Sequence, residues 1–183
     1  PRQTHITHLQ WVEHSGEVPD TDAVITSRVG LCVAVKTADC IPILLHDRRQ
    51  RLVAAVHAGW RGTVGRILEL TIQTMRSHGS DLQAIIGPGI SLEAFEVGDE
   101  VYDAFRTAGF PMERIARAYP SATAGTERWH IDLWDANRWL LEEHGVPDIH
   151  LAGICTYTSA CHYSARRDTI NTGRNINGIM LLK

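Results

Sequence analysis

Two short apolar runs constrain this chain more than any other feature: IPILL (41–45) and LVAAV (52–56), separated by the polar turn HDRRQR. Each is of strand length, and the connection between them is polar and short. Together they read as an antiparallel hairpin. Neighbouring segments extend the β reading. Residues 23–35 (AVITSRVGLCVAV) form a β segment broken by a turn near Gly30, and LQAIIGPGI (82–90) is a strand entering a Gly-Pro-Gly loop.

Helical periodicity is confined to three places. After Gly62 a helix is expected from Thr63 to about His78, with Val64, Ile67, Leu68, Ile72 and Met75 on one face and Gly79 as the terminating glycine. GDEVYDAFRTAG (98–109) is a short helix, and IDLWDANRWLLEEHG (131–145) a stronger one. Residues 110–130 read as irregular. A strand over HLAGICTY, a turn-rich SARRDTINTGRN and a last strand, GIMLL, complete the chain. Strands outnumber helices and do not alternate strictly with them, so the class is α+β with mixed sheets and not a doubly wound layout. The glycine-rich loops lack both the GxGxxG and GxxxxGK[ST] spacings, which argues against dinucleotide and P-loop sites.

With 183 residues, 44% of them hydrophobic, the chain is sized for a single domain spanning 1–183. Its net charge of −3 lacks the basic stripe of a nucleic-acid binder. Lys36 and Lys183 are the only lysines among many arginines. No run approaches the ~20 apolar residues of a membrane span, and no signal peptide opens the sequence. Cys32, Cys40, Cys155 and Cys161 form no CxxC pair and read as reduced thiols of a cytoplasmic protein. Pro1 is not an initiator residue, so an additional N-terminal segment is expected.

The hairpin carries a geometric consequence. With Leu45 facing Leu52, Cys40 falls opposite His57, their Cβ atoms roughly 4.5–5.5 Å apart. A thiol and an imidazole so placed can share a metal ion or exchange a proton. His57 also feeds Ala58-Gly59-Trp60-Arg61-Gly62 and a helix N-terminus, where free N–H groups and Arg61 would seat an anion such as phosphate. Arg61 could instead pair with Asp39. Cys155, Cys161 and His162 form a competing cluster whose spacing matches no common zinc pattern. They read as packing residues, as do Cys32, Trp134 and Trp139.

QTH (3–5), DAVIT (22–26), TADCIPILL (37–45), AAVHAGWRGT (54–63), IGPGIS (86–91), FEVGDEV (95–101) and SARRDTINTGR (164–174) occur in this order. Together they resemble the bacterial YfiH-like family, also called the laccase-domain, multicopper polyphenol oxidase or DUF152 family. The resemblance covers essentially the whole chain. It implies two mixed β-sheets packed between helices, a four-layer α/β/β/α arrangement similar to a Cys/His deamidating toxin domain. It also implies a metal site of His5, Cys40 and His57, with zinc favoured over copper. The implied activity is phosphorolysis of adenosine, inosine, guanosine and methylthioadenosine, with some adenosine deamination. Cys40, His57 and Arg61 would then be the catalytic residues. The expected partners are a purine nucleoside and phosphate; no nucleic acid, membrane or obligate protein partner is expected. Where the family has an aromatic-rich run, this chain reads CHYSARRD (161–168), which alters the packing expected around Arg166 and Arg167.

Two other functions fit the same residues. A copper polyphenol oxidase would need several His-x-His pairs, and the ten histidines supply none; the nearest is His5-Ile-Thr-His8. A metal-free hydrolase would use Cys40 as nucleophile and His57 as its base. A non-catalytic metal-binding module is a further class.

Overall fold

All seven residues of the strand Leu52–Ala58 (β5) are buried, because neighbours cover both its edges and both its faces. In the computed structural model, which describes residues 1–120 and 126–182, β5 pairs antiparallel with Ala23–Thr26 (β2) and Ile41–Asp47 (β4). Leu9–Trp11 (β1) adds in parallel to β2; Leu82–Ile86 (β6) adds antiparallel to β4, and Asp148–Leu151 (β10) parallel to β6. The result is a mixed six-stranded sheet in the order β1-β2-β5-β4-β6-β10.

Strand alternation sends side chains to opposite faces, and each face meets a different layer. Leu52, Ala54 and Val56 of β5, with Ile41, Ile43 and Leu45 of β4, join the main core. Against them pack the helices Ile67–Met75 (α2) and Leu133–Glu143 (α5), through Ile67, Leu68, Ile72 and Met75 and through Leu133, Ala136, Leu140 and Leu141. Val53 and Ala55 point the other way, toward a two-stranded antiparallel ribbon of Cys32–Thr37 (β3) and Asn175–Met180 (β11). Val24, Val33, Val35 and Leu181 complete that smaller core.

A third sheet, antiparallel, orders Glu96–Val97 (β7), Glu127–Ile131 (β9) and Ala116–Pro120 (β8). Asp99–Thr107 (α3) and the single turn Met112–Ile115 (α4) accompany it, burying Phe105 and Ile115. The α+β class expected from the sequence is the one the chain adopts. The implied arrangement of mixed sheets packed with helices is found as well.

Several local expectations are corrected. The helix expected over 63–78 is two helices, Trp60–Val64 (α1) and α2, because Arg66 adopts left-handed backbone between them. It ends at Met75, capped by left-handed Arg76; Gly79 instead opens a 3-10 turn against the backbone of His144. The stretch 110–130 contains α4, β8 and most of β9, with 121–125 outside the described residues. HLAGICTY is strand only as far as Leu151; Cys155 makes an isolated bridge to Gly89.

The hairpin register also differs. β4 and β5 continue through His46 and Asp47, so the turn is only residues 48–51 and Asp47 pairs with Leu52. The buried Asp47 carboxylate accepts the N–H groups of Arg49 and Gln50, which tightens the turn. His57 therefore stands opposite Pro42, and Cys40 is displaced by two residues from the expected pairing. An even displacement keeps both side chains on one face.

Candidate metal centre

That shared face is the ribbon side of the sheet. Asp22 precedes Val24, Cys40 precedes Pro42 and Leu44, and His57 follows Val53 and Ala55. Period-two alternation places all three on one face at one end. The β4–β5 ladder closes with Ile41 and Ala58, so Gly59 comes next opposite Cys40. A Cβ at Gly59 would lie 3.0 Å from Cys40 Sγ and 3.3 Å from His5 Nδ1. The glycine leaves that space to the functional side chains.

His5 arrives from the N-terminal segment, and QTH explains how. The Gln3 side chain acts as a strand partner for Lys36, donating to its carbonyl at 2.5 Å and accepting its N–H at 3.1 Å. Beyond it the chain wraps around the fully buried Asp22 carboxylate, which accepts the N–H groups of Thr4, His5 and Ile6 at 3.1–3.2 Å. His5 takes left-handed backbone, φ 60°, within this wrap. Strained backbone of this kind costs about 1–3 kcal/mol and persists because Asp22 fixes it.

Asp22 also accepts from Nδ1 of His57 at 2.7 Å. That bond directs His57 Nε2 toward Cys40 and His5. The two imidazoles meet edge to face, centroids 4.9 Å apart, and His5 Nδ1 lies 3.9 Å from Cys40 Sγ. Burial alone would push the Cys40 thiol up, but hydrogen bonding and charge from His5 and His57 outweigh it and bring it down to about 6. Burial would lower His57, yet Asp22 first and Cys40 second raise it to about 9. Asp22 is itself held below the usual carboxylate range: burial opposes ionisation, and the His57 and backbone N–H bonds override it. Both shifts favour the charged forms, a thiolate at Cys40 and an imidazolium at His57.

One ligand atom from each of His5, Cys40 and His57 lies within 4.8 Å of the other two, the only such group of three found among the described residues. A tetrahedral zinc ion with ordinary bond lengths sets sulfur–nitrogen separations of ~3.6 Å, close to the 3.9 Å found. A thiolate with two imidazoles is a donor set for zinc or copper(I). The carboxylate behind His57 is the usual support for a metal-bound imidazole. The residues fit a metal.

Two cavities meet at His5 and Cys40. One, about 210 Å³, is also bordered by His57, Arg2, Lys36 and Arg174. The other, about 350 Å³, is bordered by Thr4, Trp60 and Arg61. Arg61 is exposed, lies 4.2 Å above the Trp60 ring and makes no ion pair among the described residues. Asp39 is not its partner. The Asp39 carboxylate accepts from Thr156 Oγ1 and from the Arg166 N–H, each at 2.7 Å. Because α1 has only five residues, the helix terminus expected beside Arg61 contributes little dipole.

The competing cluster does not assemble as a metal site. Cys155 Sγ accepts the Ser91 N–H, His162 bonds Ser159, and Cys161 is exposed. Arg166 donates to the carbonyl of Glu96, and Arg167 to those of Thr156, Tyr157, Ser159 and His162, so both tie loops together. Sequence reasoning missed Asp22. Its signal was an acid directly preceding the apolar run Ala23-Val24-Ile25.

Fold and site together define an α+β protein with a candidate mononuclear His-Cys-His metal centre. The chain belongs to the YfiH-like family, whose profile, described as multi-copper polyphenol oxidoreductase laccase, matches residues 1–182. A purine nucleoside phosphorylase from Bacteroides thetaiotaomicron is 46% identical over 169 residues, 88% of this chain and 61% of that protein. The chain thus spans less than two thirds of that relative's length. The adenosine deaminase RL5, from an unknown prokaryotic organism, is 39% identical over 197 residues, covering 98% of this chain and 73% of that one. Among solved structures, a Neisseria meningitidis DUF152 protein superposes with a TM-score of 0.88 at 36% identity, covering all of this chain and 74% of that one. No helix among the described residues is long and apolar enough to cross a membrane.

Proposed function

We propose that this chain carries the centre of a zinc-dependent purine nucleoside phosphorylase acting on adenosine, inosine, guanosine and methylthioadenosine, with adenosine deamination as a side activity. The observation that carries the reading is the convergence of His5, Cys40 and His57 at a cavity walled by cations. The names of the relatives support the same class.

Bound zinc would act as a Lewis acid or water activator. His5, Cys40 and His57 would hold it; Asp22 fixes the His57 ring and the His5 backbone. In phosphorolysis an oxygen of phosphate bonds to C1′ and the C1′–N9 bond breaks. The electron pair goes to the purine, which takes up the proton that the hydrogen phosphate releases as it becomes the ribose ester. Arg61 and Trp60 offer a cation and an aromatic face on the open side of the centre, where the leaving base can be met.

Incubation with adenosine, with and without phosphate, tests the reading. Adenine and ribose 1-phosphate formed only with phosphate support it; inosine under both conditions assigns the site to deamination. Copper oxidase chemistry is disfavoured by the donor set, since among the described residues one group of three ligands is found and not the several that a multicopper cluster needs. Activity that persists without oxygen separates the two. A metal-free Cys40/His57 hydrolase draws on the depressed thiol; it requires turnover after complete metal removal.

A further inference from the structure

Lys36 is one of two lysines in the chain, and it stands on the wall of the cavity that holds the metal centre. Arg2 and Arg174 join it there, and among the described residues no carboxylate lines the cavity. Three cations in about 210 Å³ without an acid make a pocket for an anion.

The wall is built and not incidental. Gln3 clamps the Lys36 backbone through both amide groups and thereby sets its neighbour Arg2 beside the cavity. The Arg174 guanidinium donates to the carbonyls of Ile170, Thr172 and Gly173, which fixes its position, and among the described residues it makes no ion pair with a carboxylate. The carboxylates near the other two cations are exposed and beyond hydrogen-bond reach: Glu17 is 3.7 Å from Lys36 Nζ, and Asp20 3.6 Å from Arg2. Such loose pairs neutralise little. Arg61, by contrast, belongs to the five-residue helix α1 and lies over Trp60 in the other cavity.

Resting on phosphorolysis as the reaction, we infer that Arg2, Lys36 and Arg174 form the seat of the inorganic phosphate co-substrate, and that Arg61 does not. The seat shares its cavity with all three metal ligands, so a bound phosphate lies beside the centre.

The test is calorimetric titration of inorganic phosphate into the zinc-loaded protein and its Lys36→Gln, Arg2→Gln and Arg61→Gln variants. Gln3 holds Lys36 through backbone atoms, so Lys36→Gln keeps the clamp; zinc content and melting temperature verify folding. The expected result is a dissociation constant about tenfold higher for Lys36→Gln and for Arg2→Gln, as for loss of one charge-assisted hydrogen bond, and unchanged for Arg61→Gln. Phosphate binding lost in Arg61→Gln but kept in the other two overturns the inference. So does wild-type protein that binds no free phosphate, or that binds only a phosphate monoester titrated in parallel. Phosphate bound with the expected pattern, but without adenosine cleavage, upholds the seat and rejects phosphorolysis.

Discussion

The carboxylate of Asp22 lies 2.7 Å from Nδ1 of His57 and, through its remaining acceptor capacity, also holds the backbone of His5. One buried group therefore sets the orientation of two of the three candidate ligands.

Asp22→Asn is expected to weaken zinc binding 10- to 100-fold, the usual effect of losing a carboxylate behind a ligating histidine. Competition against a chromophoric chelator measures it. Affinity equal to wild type would show that His57 and His5 need no such support.

Gly59→Ala is expected to remove stoichiometric metal while the protein stays folded. The Gly59 backbone is extended, φ −71° and ψ 171°, which alanine tolerates. The damage comes instead from a methyl 3.0 Å from Cys40 Sγ. Elemental analysis alongside circular dichroism checks both halves.

Zinc should protect Cys40 from iodoacetamide. In chelator-stripped protein the thiolate favoured by His5 and His57 alkylates readily, whereas the exposed Cys32 and Cys161 react in either state. Peptide mapping by mass spectrometry separates the sites. Equal labelling of Cys40 with and without zinc would place the sulfur outside the metal's coordination.

Asp47 supplies acid-sensitive stability away from the centre. Burial opposes its ionisation, but bonds from Gln50 N–H, Ser77, the Gln50 side chain and Arg49 N–H outweigh it and lower its acidity range. A depressed carboxyl contributes stability above its unfolded value of about 3.9 and loses it as pH falls through the lower folded value. Asp47→Asn should cost about 2 kcal/mol at neutral pH, in the range for hydrogen bonds to a charged group. Urea melts at several pH values should show a shallower decline in acid for the variant.

How far the sequence disclosed this molecule depends on what each segment's neighbours supply. The hairpin was legible because its runs are apolar and short. Its register was not, since polar His46 and Asp47 read as turn although pairing continues through them. The two-residue error left Cys40 and His57 on the same face, so the chemical inference survived. Helix α5 declares itself by periodicity, whereas the break between α1 and α2 depends on left-handed Arg66, a residue with no intrinsic preference for that backbone. Strand β8, ARAYP, is largely exposed and gains its order from β9. His5 was reached through family resemblance alone; no local pattern ties residue 5 to residues 40 and 57, because the connection runs through Asp22.

Asp39, immediately before Cys40, is anchored to Thr156 and to the start of the short helix Ala165–Asp168. The sulfur donor thus hangs from the C-terminal loops, while both nitrogen donors hang from Asp22. Mechanically the centre is a clasp with two differently moored jaws. Loosening the closing segment would shift the sulfur relative to the nitrogens without changing the spacing between the two rings.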